Sequence, residues 1–126
     1  MIRALALCLI AGPALADPMT AADFDAYVSG KTLTFTQPDG TPFGVEAYGP
    51  DRAVTWSSEP GVCQTGVWYD RDGLICFIYL TDPVPKCWTV DRTDRGLRAQ
   101  STEGTVLFEA TEAKVPLVCA GPDLLS

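Results

Sequence analysis

Histidine is missing from all 126 residues. Its absence excludes Ser-His and Cys-His catalysis, His-ligated metal centres and a histidine pH switch. No Cys-x-x-Cys spacing occurs, so neither a zinc ribbon nor a thioredoxin-like dithiol is supported. Basic residues are few: nine Lys and Arg stand against sixteen Asp and Glu, for a formal charge of −7. They are scattered and form no patch that could track phosphates, which argues against nucleic acid and against docking on anionic lipid. Beyond the N-terminus no apolar run approaches the roughly 20 residues that a membrane-spanning helix needs. The chain also lacks internal repeats, linkers and low-complexity segments.

What is present begins with an export leader. Arg3, an apolar core over 4–12 and Ala14-Leu15-Ala16 have the layout of a cleaved signal peptide over residues 1–16, so the mature chain is expected to start at Asp17. Cys8 lies too early for a lipidated cysteine and lacks the small residue expected before one. Removing Arg3 leaves eight basic residues against the same sixteen acidic ones, a formal charge of −8. The remaining 17–126 make one domain, which buries roughly 65% of its unfolded surface. Four cysteines remain: Cys63, Cys76, Cys87 and Cys119. An even count in a small exported domain reads as two disulfides, with a periplasmic or secreted location. Three pairings are open in principle.

The stretch from Gly66 to Trp88 organises the rest, with two of the three tryptophans and two of the five cysteines. Asp70-Arg71-Asp72-Gly73 is turn chemistry. The apolar run Leu74–Leu80 suits a strand buried on both faces. Asp82-Pro83-Val84-Pro85 is read as a break that continues neither element, and Lys86–Val90 as the returning strand. Folding about Asp82-Pro83 brings Cys76 and Cys87 nearly opposite, which favours Cys76–Cys87 and leaves Cys63–Cys119. Before this stretch, Thr20 is a good N-cap for a short helix over 20–29 whose Phe24, Tyr27 and Val28 share a face and whose stop is Gly30. Strands at 31–36, 43–48, 52–57, 63–69, 97–101 and 105–109 complete a series of about eight, nearly all joined by short turns. Such a series predicts an antiparallel up-and-down barrel, closed or nearly so, with a β-sandwich as the alternative. Residues 111–126 are expected to form a tail held by Cys119.

Gly66-x-Trp68, then Asp72-Gly73-Leu74-x-Cys76-Phe77-x-Tyr79, then Cys87-Trp88 resembles a group of small exported proteobacterial proteins of unknown function. The resemblance covers about a fifth of the mature chain and implies a periplasmic β-barrel-like domain, without implying an activity. Gly66-Val67-Trp68 is also similar to the Gly-x-Trp of lipocalins, which in that family sits on the first strand and here falls near the middle of the series.

Candidate chemistry is sparse. Asp70 with Asp72, and Asp91 with Asp94, could offer oxygen to Ca²⁺, but each pair is interleaved with Arg71 or Arg92 and no distal bidentate Glu completes a loop. Nothing selects two of the sixteen acids as a glycosidase pair, and paired cysteines leave no thiol nucleophile. The aromatics Tyr48, Trp56, Trp68, Tyr69, Phe77, Tyr79 and Trp88 fill the core of so narrow a barrel or line a ligand cavity, with Trp56, Trp68, Phe77 and Tyr79 the lining candidates. The expectation is therefore a non-enzymatic exported binding domain without cofactor or metal, which does not insert in a membrane. Its ligand would be a small apolar or aromatic molecule held in the barrel. The alternative is a protein-interaction module such as a periplasmic inhibitor or envelope accessory factor, and a carboxylate-dependent hydrolase ranks below both.

Overall fold

A computed structural model describes residues 17–119, so the expected signal peptide lies outside the described residues. One helix, α1 (Ala21–Val28), precedes eight strands: β1 (Thr32–Thr36), β2 (Pro42–Tyr48), β3 (Ala53–Glu59), β4 (Val62–Arg71), β5 (Leu74–Tyr79), β6 (Asp82–Thr93), β7 (Gly96–Ser101) and β8 (Val106–Glu112). Each strand pairs antiparallel with the next, and β8 pairs with β1, closing an up-and-down barrel. The sandwich alternative is thereby excluded. Among the described residues no helix is long and apolar enough to cross a membrane.

Local chemistry explains the elements. The Thr20 hydroxyl accepts a hydrogen bond from the Asp23 amide at 3.1 Å, satisfying one orphan N–H at the start of α1. Gly30, at φ 77°, ends the helix in the left-handed region. Its amide bonds the Tyr48 carbonyl at 2.9 Å, while the Met19 amide bonds Val90 at 2.7 Å, so both ends of α1 are pinned to the same end of the barrel. Phe24 and Val28 are fully buried there, and Phe24 meets the Trp68 ring edge-on at 5.0 Å. The β4–β5 hairpin turns on Asp72 and Gly73, both at positive φ, the geometry that matches strand twist.

The disulfides are Cys63–Cys119 and Cys76–Cys87. Cys76 and Cys87 face each other directly across β5 and β6. Cys119 also bridges Gly61, which holds the segment after β8 against the β3–β4 turn. β8 runs to Glu112 because Thr111 and Glu112 pair with Thr34 and Leu33, so the tail begins later than residue 111.

Three local readings are corrected. Asp82–Pro85 does not interrupt the sheet: β6 starts at Asp82, opposite Tyr79, and the turn is Leu80-Thr81. The prolines fall where the register shifts between Phe77 and Tyr79, and there no ladder N–H is required of them. Leu80, assigned to the buried strand, sits in that turn and is 85% exposed. Arg52, read as the first residue of a strand, instead closes a single turn over Pro50–Arg52 in which Asp51 and Arg52 both have positive φ. Its side chain is held by the Trp68 ring, 4.2 Å away, and donates to the Asp70 carboxylate at 3.0 Å.

Candidate functional site

The two ends of the barrel are filled differently. At the α1 end Phe24, Val28, Trp68, Ile75 and Leu97 close the interior. Toward the opposite end, where the β1–β2, β3–β4, β5–β6 and β7–β8 turns lie, a cavity of about 230 Å³ remains. This exceeds the roughly 150 Å³ apolar cavity that accepts benzene, and it falls short of the roughly 300 Å³ at which drug-sized pockets begin. A ligand of one or two rings is the size that fits.

The inward-facing register of successive strands builds the wall. Phe35 comes from β1 and Glu46 and Tyr48 from β2. Trp56 on β3 lies opposite both Glu46 and Gln64. Phe77 and Tyr79 come from β5, and Trp88 and Val90 from β6. Gly44 gives the Trp56 ring its place, since a Cβ there would collide with that ring. Phe43 packs against the same indole at 5.7 Å between ring centroids. At the mouth, Lys86 is tied to Asp82 by an ion pair.

The chemistry of the cavity is concentrated in Glu46. It is 2% exposed, in a wall that is mostly aromatic and aliphatic apart from Gln64, Asp82 and Lys86. The Tyr79 hydroxyl donates to its Oε1 at 2.8 Å, and among the described residues its Oε2 has no partner. Burial pushes the carboxyl up to about 8, and the Tyr79 hydrogen bond only partly opposes this. At neutral pH the group is therefore mostly the uncharged acid. Burial, and then the proximity of Glu46, likewise raise the Tyr48 and Tyr79 phenols well above their ordinary value, so both stay neutral. A buried carboxyl with one unmet oxygen beside an open volume is the arrangement expected where a ligand completes the polar contacts.

Of the four lining candidates, Trp56, Phe77 and Tyr79 come together in the wall. Trp68 does not: it is 2% exposed at the α1 end, enclosed by Phe24 and Arg52. Trp68 is thus packed into the closed end, while Tyr48 and Trp88 join the other three along the cavity. Glu46 escaped the sequence reading, although strand alternation carried the signal: it lies two residues from Tyr48, on the same face. Gly66 lets β4 approach β5 closely, since a Cβ there would strike the β5 backbone at Ile78 and Tyr79.

The acidic pairs considered for Ca²⁺ are engaged otherwise. Asp70 pairs with Arg52, and Asp91 lies 3.8 Å from Arg98. Among the described residues no group of three or more ligating side chains could hold a metal ion. Comparison with protein-family models, curated proteins and solved structures found no match.

Proposed function

We propose that the protein is an exported, non-enzymatic binding protein that holds a small aromatic or apolar molecule of one or two rings inside the barrel. The observation that carries this reading is the open half of the interior: about 230 Å³ of space walled by Phe35, Trp56, Phe77 and Trp88. A core evolved only for stability closes such volume, because interiors pack at crystal-like density. The two disulfides favour an oxidising compartment, and the leader over residues 1–16 favours the periplasm or the medium.

Ala99 offers the test, since it lines the cavity with the smallest side chain on the wall. Indole should quench or shift tryptophan fluorescence saturably in the wild type. Ala99→Phe, which fills the space, should abolish the response while retaining the β circular-dichroism spectrum. Equal responses from the two proteins would refute binding in the cavity.

A second reading, a protein-interaction module, is favoured by exposed aliphatic residues at the turns of the open end: Val62, Leu80 and Val84 are 57%, 85% and 64% exposed. Charged replacement at Leu80 would leave indole binding intact and remove the partner.

A further inference from the structure

Three of the cavity-lining residues carry ionisable charge: Glu46, Asp82 and Lys86. Asp82 and Lys86 neutralise each other at the mouth. That leaves Glu46 as the ionisable group without a counterion, faced by Tyr79 from β5 and flanked on β2 by Tyr48, both neutral phenols. Its Oε2 is unpartnered among the described residues, and the residue is 2% exposed. Around it the wall includes the aromatic side chains of Trp56, Trp88, Phe35 and Phe77.

Resting on the cavity reading above, we propose that the ligand is a small organic cation, a primary or substituted amine bearing one or two rings, whose ammonium pairs with Glu46 Oε2. An ammonium supplies the donors that the orphan oxygen lacks. Aromatic faces attract a cation through their quadrupole and give no such gain to a neutral or anionic ligand of the same shape. The formal charge of −7 draws cations toward the protein. On binding, Glu46 changes from acid to carboxylate and its proton passes to solvent, so one proton is released for each ammonium taken up. In the free protein that proton is held because the buried carboxyl ionises only near pH 8.

The test uses three probes of one shape: 2-phenylethylammonium, 2-phenylethanol and 3-phenylpropionate. Each is titrated calorimetrically into the disulfide-intact protein at pH 7, in two buffers of different protonation enthalpy. The amine should bind roughly tenfold or more tighter than the alcohol, with close to one proton released per amine and none per alcohol. Glu46→Gln should bring amine and alcohol to within roughly twofold of each other and abolish the proton release on amine binding. Should that variant fail to fold, proton release by the wild type decides the matter. Alcohol or propionate binding as tightly as the amine, or amine binding without proton release, overturns the cationic ligand and leaves the cavity standing. Failure of all three probes, together with failure of indole, overturns both.

Discussion

Replacing Glu46 by Gln should change how stability depends on pH. In the folded barrel the Glu46 carboxyl ionises near pH 8, against 4.5 for an exposed glutamate, because burial disfavours its charge. Between those two values the unfolded chain has lost the proton and the folded chain still holds it. The folded state thus binds more protons, and stability falls as pH rises, by roughly 1.4 kcal/mol per unit. The contribution is fully present below pH 4.5, is lost progressively through about 8, and amounts in all to roughly 4–5 kcal/mol. Glutamine keeps the acceptor for Tyr79 and does not titrate. Urea unfolding of wild type and Glu46→Gln, with disulfides intact, should give stabilities within about 1 kcal/mol of each other at pH 5. At pH 7 the variant should be the more stable by roughly 3 kcal/mol, and at pH 9 by roughly 4 kcal/mol. Exposed Asp39, Asp70 and Asp82, whose carboxyls are held low by hydrogen bonds from Thr41, Arg52 and Lys86, act below about pH 4 and are common to both proteins, so they cancel in the difference. A difference that stays constant from pH 5 to 9 would refute the buried, proton-holding carboxyl.

Two further outcomes follow from the packing. Trp68→Ala should lower stability by about 3–5 kcal/mol with the urea m-value unchanged, because the indole is buried against Phe24 and Arg52; a loss under about 1.5 kcal/mol would contradict that enclosure. Replacing Cys63 and Cys119 together by Ser removes a link across 56 residues and should cost about 4 kcal/mol in the chain-entropy account, read by thermal unfolding, whereas an unchanged midpoint would show that the link does not constrain the unfolded chain.

The barrel was legible because its signals are local. Short turns such as Asp72-Gly73 dictate antiparallel neighbours, and a meander of eight strands buries its edges by closing. The pairing of Cys76 with Cys87 followed from that hairpin even though the turn lies at Leu80-Thr81 and not at the prolines, because a register shift in β6 absorbs the difference. Proline does not break the sheet here, because Pro83 and Pro85 occupy positions where the sheet asks for no N–H. The cavity was only half legible. Its aromatics announce an apolar interior, yet whether the inward rings close the space depends on where α1 inserts Phe24 and on which end lacks such a plug. Glu46 was hidden among fifteen other acids, and its alternation with Tyr48 acquires meaning only once the face of β2 is known.

The three tryptophans test the central claim together, because Trp56 and Trp88 line the cavity and Trp68 lies at the closed end. In a ¹⁵N-labelled sample titrated with 2-phenylethylammonium, the indole N–H signals of Trp56 and Trp88 should shift saturably while that of Trp68 stays in place. Movement of the Trp68 signal alone, or no movement of any of the three, would contradict a ligand bound in the open half of the barrel.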